Sequence, residues 1–211
     1  MPQKIIIEDI AAYPEEASYA VPRGDKLYYV MYGFAATDKH VHVRLEGEGA
    51  EAIILGILIG DTASCTVQTL QDHVAPHTTS DLLIRTVLAG NASFSYQGKI
   101  VIEKDAQQSN AYQRNENLMV GNRSHVDTKP ELEILANDVR CTHGATVGRL
   151  DKEPVFYLQS RGLTHPEAEA MLLRGFAEGI VQKIPDPQAQ DTLRAYIDEM
   201  LMRLTNKQKL K

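Results

Sequence analysis

The sequence contains no tryptophan and only two cysteines among its 211 residues. Two cysteines cannot build the disulfide framework that stabilises small secreted domains, and no C-x-x-C motif is present. The most apolar stretch, IILGILIG at 53–60, is far shorter than the roughly 20 residues that span a bilayer. The N-terminal run MPQKIIIEDI is too short and too acidic for a signal peptide. We therefore expect a soluble, cytoplasmic protein with no membrane partner.

Basic residues are not clustered: 22 lysines and arginines are scattered among 28 acidic residues, giving a net charge of -6. A nucleic-acid-binding face needs clustered basic residues, so no nucleic-acid partner is expected. The motif G-x-x-x-x-G-K-[ST] is absent, and no G-x-G-x-x-G leads from a strand into a helix. The protein is therefore not expected to hydrolyse ATP by itself.

Short apolar runs rich in β-branched and aromatic residues recur from residue 26 to about 150, separated by turn-forming residues. Examples are KLYYVMYGF from residue 26, DLLIRTVL from 81, NLMV from 117 and ELEIL from 131. No helical pattern interrupts them, which argues against βαβ units and predicts a β-domain over 1–150. The spacing of the runs suits a two-sheet sandwich and a β-solenoid almost equally well.

The pattern becomes helical after Leu150. A short helix starting at Glu153-Pro154 stops at Gly162, and Thr164 precedes Glu167 by the three residues of a capping box. Two amphipathic helices follow, with apolar residues at steps of three and four: Ala168, Met171, Leu172, Phe176, Ile180 and Ile184, then Leu193, Tyr196, Ile197, Met200, Leu201 and Leu204. These predict a helical subdomain over 151–211, ending in the basic tail NKQKLK, whose apolar faces cover the end of the β-domain, a partner, or both.

Two pairs of histidines have spacings that metal sites use. His40 and His42 share one strand face but lack a third ligand, so an ordinary half-exposed strand is favoured over a metal pair. His73 and His77 have the four-residue spacing of a helical zinc site. Pro76 and the flanking polar residues argue against a helix there, so a polar turn is favoured.

The stretch VRCTHGATVGRL at 139–150 places Cys141 and His143 on one face of a strand. A neighbouring imidazole can lower the pKa of a thiol and favour the thiolate that binds soft metals. Two such ligands make at most half of a tetrahedral site. The residues alone leave two readings open: a buried cysteine with a hydrogen-bonded histidine, or a metal site that a second subunit, iron or sulfide completes. Glu131 and Glu133 also share a strand face, which suits acid–base chemistry but more often faces solvent.

Four motifs carry a family resemblance: P-x-L-E-I from residue 130, D-V-x-C-x-H-G-A-T-x-G from 138, F-Y-L-x-S-R-G from 156 and G-F at 175. Together they closely resemble the C-terminal core of the SufB/SufD family, the iron–sulfur cluster assembly proteins of the Suf system. The resemblance covers roughly 40–184 and is strongest at 116–176. It implies a right-handed parallel β-helix followed by a small helical subdomain, and so favours the solenoid.

The resemblance also implies partners and a site. Subunits of the family pair through their last β-coils, their C-terminal helices bind the SufC ATPase, and the nascent cluster forms near the subunit interface. His143 occupies the position of the functional histidine of D-type subunits, and Cys141 that of its neighbouring cysteine. Five residues match the motifs around the ATPase-binding region: Phe156, Tyr157, Arg161, Gly162 and Phe176.

This sequence departs from the family pattern in three ways. It has H-G-A-T where B-type subunits tend to have H-E-A-T, so Gly144 removes a carboxylate and makes the protein resemble the D type. Family members are usually about twice as long, and residues 1–36 match neither type well. Besides Cys141 only Cys65 remains, which excludes a four-thiolate cluster on one subunit. No permanently bound cofactor is expected, and any iron–sulfur cluster would be transient.

The sequence therefore predicts a scaffold or accessory protein of iron–sulfur cluster assembly, not an enzyme, that acts with a SufC-like ABC ATPase. It is expected to form a homodimer or a heterodimer with another SufB/SufD-like subunit. The alternative is an interaction module that docks the ATPase but has lost the cluster chemistry. A weaker alternative is an independent metal or small-molecule binder that uses the face carrying His40 and His42.

Overall fold

The computed structural model describes residues 2–208, with side chains as far as Thr205. Met1 and the side chains of the predicted basic tail at 206–211 lie outside the described part. The strands are β1 (Gln3–Asp9), β2 (Glu16–Val21), β3 (Lys26–Tyr32), β4 (Thr37–Leu45), β5 (Glu51–Gly60), β6 (Ser64–His73), β7 (Thr79–Leu88), β8 (Ser93–Ile102), β9 (Asn110–Met119), β10 (His125–Ile134) and β11 (Arg140–Arg149). The helices are α1 (Lys152–Ser160), α2 (His165–Val181) and α3 (Pro187–Gln208).

Successive strands alternate between two sheets. Sheet A has the order β1-β3-β5-β7-β9-β11 and sheet B the order β10-β8-β6-β4-β2. All pairings are parallel, so each turn of the solenoid adds one strand to each sheet. This is a parallel β-solenoid with helices at its C-terminus, which confirms the expected fold class. The strands β1 to β3 lie within residues 2–36.

The interior of the solenoid is mainly apolar in its first turns, apart from the buried ion pair of Glu8 and Lys39, and is more polar in its last turns. On β9 the inward-facing residues include Gln113, Asn115 and Asn117, all buried. Thr86 Oγ1 donates to Asn117 Oδ1 at 2.7 Å, and Asn117 Nδ2 donates to Asn115 Oδ1 at 2.7 Å. Buried polar groups that bond to one another can replace apolar packing in a strand. Strand β9 therefore begins at Asn110, although the apolar run in the sequence begins only at residue 117.

The helices α2 and α3 pack on the outer face of sheet A. Their buried apolar residues contact outward-facing side chains of the sheet: Val30, Leu55, Ile57, Ile59, Leu83 and Val87. Within the described residues, the helices therefore cover one flank of the solenoid and not its end. Of the prediction that their apolar faces cover the end of the β-domain, a partner, or both, the covering of the end is wrong. The capping box of Thr164 and Glu167 is present as predicted. The buried stripe of α2 runs through Leu173 and Ala177, so Met171, predicted to lie on it, is 53% exposed.

Arg85, on the outer face of β7, fixes α2 to the sheet. Its Nε donates to Glu116 Oε2 at 2.7 Å, and its Nη1 donates to the carbonyl of Phe176 at 2.6 Å. The guanidinium also lies 4.8 Å from the centre of the Phe176 ring. A side chain at Gly179 would collide with Arg85, so glycine at that position makes the contact possible. These contacts anchor the middle of α2 on the strands β7 and β9.

His73 is the last residue of β6 and is fully buried, so the predicted polar turn is wrong for this residue. Its Nδ1 lies 2.7 Å from Thr78 Oγ1 and its Nε2 2.8 Å from Ser80 Oγ. Two hydroxyl groups thus satisfy the imidazole in the interior. His77 does lie in the turn, with a φ of 59°.

We expect the stability of the protein to fall in mild acid because of His73. Burial lowers the pKa of His73 to about 4, whereas an unfolded histidine titrates near its usual value. The unfolded state therefore binds a proton first, and the free energy of unfolding decreases as the pH falls from about 6.5 to about 4. The loss attributable to this residue is about 3 kcal/mol. Urea denaturation at several pH values across this range gives the free energy of unfolding as a function of pH. This free energy should fall less steeply with decreasing pH in His73→Gln than in the wild type, and as steeply as in the wild type in His77→Gln, the control in the turn. An unchanged slope in His73→Gln would contradict the assignment.

Candidate functional site at the open end of the solenoid

The last turn of the solenoid leaves its inner face uncovered. Strand β10 is an edge of sheet B and β11 is an edge of sheet A, so each has a described neighbour on one side only. No residue of either strand is buried. We call the inward-facing rows of these two strands, Val126 to Ile134 and Cys141 to Val147, the open end.

The pairing of β11 with β9 shows which way its side chains face. Cys141 is in register with Ala111, and His143 is in register with Gln113. Both partners on β9 are buried in the interior. Since paired residues on neighbouring strands face the same side, Cys141 and His143 both face inward at the open end. The structure therefore brings the predicted pair together on one face.

Cys141 and His143 do not form a buried structural pair. Cys141 is half-buried against the small cluster around Ile102, Ala111 and Ala136, whereas His143 is exposed. Among the described residues, none hydrogen-bonds to the ring of His143. Burial raises the pKa of the Cys141 thiol, so the expected lowering by the neighbouring imidazole does not occur in the free subunit. The thiol needs a metal or another change of surroundings before it ionises.

The rest of the open end is uncharged. The inward row of β10 from Val126 to Ile134 and the row of β11 from Cys141 to Val147 contain no Asp, Glu, Lys or Arg, and the row of β11 ends at Arg149, which bonds to Gly121 and Asn122. Leu132 is 37% and Val147 46% exposed. Exposed sheet edges without charge are the kind of surface that pairs with another polypeptide.

The glutamates predicted to share a face lie on the opposite, outer side of β10. Glu131 accepts a hydrogen bond from Gln97 at 3.1 Å, and Glu133 lies 2.6 Å from Lys99 Nζ. Both carboxylates are thus engaged on the outer surface of sheet B, away from the pair at the open end.

His40 and His42 share the outer face of sheet B, as predicted from their spacing. His40 Nε2 lies 3.2 Å from Asp38 and His42 Nε2 lies 3.5 Å from Asp72. Within residues 2–205, no group of three or more histidine, cysteine or acidic side chains is close enough to hold a metal ion. This face therefore offers pairs of groups and no complete metal site.

The predicted partner-binding residues fall into two groups. Phe156 and Tyr157 on α1 are 71% and 56% exposed, the Arg161 guanidinium lies 5.3 Å from the Tyr157 ring centre, and Gly162 ends the helix with a φ of 98°. We call these four residues the aromatic patch. Phe176 is instead held against the solenoid by Arg85.

The helix α1 is directly connected to the strand that carries the candidate site. Only two residues, Leu150 and Asp151, separate β11 from α1. Asp151 caps the helix by accepting from the backbone of Glu153, and Val155 is the only buried residue of α1. A groove of about 410 Å³ lies between α1, α2 and the end of β11, lined partly by Phe156 and Arg149. A force on α1 would therefore act on β11 through a very short connection.

Sequence reasoning misses the polar residues that lie beneath the open end. Gln113, Asn115 and Asn117 alternate along β9 in the segment QRNEN and face the interior. Their two-residue period is a signal of a strand with one polar buried face. Apolar runs do not reveal this strand, because its inward-facing residues are polar.

The fold and the site define a parallel β-solenoid protein with a thiol and an imidazole at its open end. The sequence model of the family described as "SUF system FeS cluster assembly, SufBD core domain" matches residues 26–176. The protein belongs to this family.

Three relatives illustrate the similarity. The protein is 37% identical over 150 residues to a SufBD family iron–sulfur cluster assembly protein of Synechocystis, covering 71% of this chain and 33% of the relative. It is 31% identical over 172 residues to the iron–sulfur cluster assembly protein SufD of Escherichia coli, covering 81% and 41%. It is 32% identical over 169 residues to a SufBD family protein of Mycobacterium leprae, covering 76% and 43%. The matched region thus spans well under half the length of each relative. None of the described helices is long and apolar enough to cross a membrane.

Proposed function

We propose that this protein is a non-enzymatic scaffold of iron–sulfur cluster assembly in the cytoplasm, with a transient cluster as its cargo. The observation that carries the proposal is the placement of Cys141 and His143 in one inward-facing row at the open end. A thiolate and an imidazole are ligands that iron accepts, but two of them fill only half of a tetrahedral site. The remaining ligands come from sulfide and from a second subunit.

The second subunit is another SufB/SufD-like protein or a second copy of this one, paired through the open end. The inward rows of the open end, which carry no charge from Val126 to Ile134 and from Cys141 to Val147, support this choice. The opposite end of sheet A differs, because β1 carries Lys4 and Glu8 on its inward face. Inward-facing charges on β1 oppose the addition of another strand at that end. Two subunits therefore pair only through their open ends, which gives a closed dimer and not a filament.

The ATPase partner is a SufC-like ABC protein docked on the aromatic patch of α1. The sequence has no phosphate-binding loop of its own, so the energy of ATP must come from a partner. Exposed aromatic residues beside an arginine are typical anchors of protein interfaces. Movement of α1 by the closing ATPase would pull β11 and rearrange the paired open ends.

We expect the double variant Phe156→Ala/Tyr157→Ala to bind a SufC-like ATPase at least about 30-fold more weakly than the wild type, because interface aromatics typically contribute about 2 kcal/mol or more. Calorimetry on the purified proteins measures the dissociation constant. Met202→Ala is the matched control, since Met202 is also a large exposed residue, at 66%, but lies on α3. Absence of binding in the wild type, or equal binding by the double variant, would contradict the docking proposal.

The second candidate function is an interaction module that docks the ATPase without building a cluster. Gly144 favours it, because B-type subunits tend to have a carboxylate there. A side chain at Gly144 would meet no atom within 4 Å, so the absence of a carboxylate is not forced by space. Successive side chains of a strand point to opposite faces, so position 144 faces outward when His143 faces inward. A carboxylate at 144 would therefore not join the row of Cys141 and His143 within one subunit.

A further inference from the structure

Gln113 has an unsatisfied acceptor directly beneath the open end. Its side chain is fully buried, and its Nε2 donates to the carbonyl of Gly98 at 3.2 Å. Its Oε1 has no hydrogen-bond partner in the described part of the protein. A buried acceptor without a partner costs about 1–3 kcal/mol. This oxygen is therefore expected to accept from a water or from a neighbouring side chain that rotates towards it.

The ladder of sheet A places a candidate donor beside this oxygen. Gln113 stands between Leu82 on β7 and His143 on β11, all three facing inward. Leu82 has no donor. The next inward residue, Asn115, directs one N–H of its amide at the carbonyl of Ile84 at 3.4 Å. His143 is in direct register with Gln113, and no described residue hydrogen-bonds to its ring.

We propose that Gln113 is the positioning residue for His143. Its Oε1 accepts a hydrogen bond from one ring nitrogen of His143, directly after a side-chain rotation or through one water, and this leaves the other nitrogen free for iron. Histidine ligands usually donate their second N–H to such an acceptor, which fixes the tautomer and the ring orientation. The inference deepens the proposed function, because it rests on His143 being an iron ligand, and adds a residue that holds the ligand ready.

A second buried glutamine provides a matched control. Gln71 on β6 is also fully buried, and its Oε1 also lacks a partner among the described residues. Its Nε2 donates to Ser80 Oγ at 2.6 Å and to the carbonyl of Tyr112 at 3.3 Å. Its neighbours in sheet B are Val43 and Ile100, so it is not adjacent to His143.

The test measures the tautomer of His143 from its ring ¹⁵N chemical shifts in the metal-free protein at alkaline pH. His143→Ala identifies the signals. We expect one dominant tautomer in the wild type and about a five-fold change in the tautomer ratio in Gln113→Met, the equivalent of one hydrogen bond. Gln113→Glu, whose carboxylate is a stronger acceptor, should keep the same dominant tautomer. Gln71→Met should keep the wild-type ratio. If Gln113→Met does not fold, Gln113→Asn, whose amide is one methylene shorter, should show the same loss.

An unchanged tautomer ratio in the folded Gln113→Met or Gln113→Asn variant would overturn the proposal, as would an equal change in Gln71→Met. Iron binding separates this inference from the proposed function. If both hold, Gln113→Met binds iron about 10–100-fold more weakly than the wild type. A tautomer change without iron binding in any form supports positioning by Gln113 and contradicts the scaffold function. Iron binding by the wild type, with no tautomer change in Gln113→Met, supports the scaffold function and contradicts positioning by Gln113.

Discussion

Replacing Lys39 by methionine is expected to lower the free energy of unfolding by about 3–5 kcal/mol, the cost of leaving a buried charge without its partner. Lys39 is fully buried, and its Nζ donates to Glu8 Oε2 at 2.9 Å and to the carbonyl of Pro14 at 2.6 Å. The Glu8 carboxylate also accepts from the hydroxyls of Tyr19 at 2.6 Å and Tyr29 at 2.7 Å. Burial raises the pKa of Glu8, but the bonds from Tyr19, Lys39 and Tyr29 together hold it below its usual value. The carboxylate therefore stays ionised and depends on Lys39.

Urea denaturation at neutral pH tests this expectation. Lys26→Met is the control, because Lys26 also pairs with a carboxylate, Glu51 at 2.7 Å, but the two side chains are 27% and 31% exposed. Such a pair contributes about 1 kcal/mol or less. The double variant Lys39→Met/Glu8→Gln should recover much of the loss, since it removes both charges. A loss below about 1 kcal/mol in Lys39→Met would show that this ion pair does not hold the first turns together.

Anaerobic reconstitution with iron and sulfide is expected to load the wild-type protein and to fail in variants of the open end. We expect Cys141→Ser and His143→Ala each to reduce bound iron and acid-labile sulfide at least about ten-fold, because even the loss of an outer-shell partner costs about 10–100-fold in metal affinity. Each change removes one of the two ligands that this subunit supplies. Metal and sulfide analysis after gel filtration measures the loading.

Cys65→Ala is the control for reconstitution. Cys65 is fully buried in the interior, and burial raises its pKa to about 12, so it does not offer a thiolate to iron. Its loss should leave the loading unchanged. If the wild type binds no cluster but still binds the ATPase, the protein is the interaction module and not the scaffold.

Local patterns predict the local structure well. The capping box at Thr164 and the change from strands to helices after Leu150 are visible in the sequence, because they depend on residues a few positions apart. The choice of a solenoid over a sandwich requires the family resemblance. Apolar runs indicate which segments are buried strands but not which strands pair with one another. They do not indicate most of β9, because its inward-facing residues are polar.

The site is predictable in part. The alternation of side chains along a strand places Cys141 and His143 on one face, but the register with Gln113 decides that this face is the interior one. Long-range contacts cannot be predicted from such patterns: Arg85 meets Phe176 across 91 positions and anchors α2. The burial of His73 also escapes prediction, because it is compensated by two hydroxyl groups that only the fold brings together.

In the proposed scaffold, the open end carries half of a cluster site and a second subunit supplies the rest. Sedimentation of the reconstituted protein, followed at the visible absorbance of the cluster, tests this division most directly. We predict that all cluster absorbance sediments with a two-subunit species. We also predict that Leu132→Lys, which places a charge in the exposed inward row of β10, gives a single subunit without cluster. Cluster absorbance sedimenting with a single subunit, or full loading of the Leu132→Lys variant, would contradict the proposal.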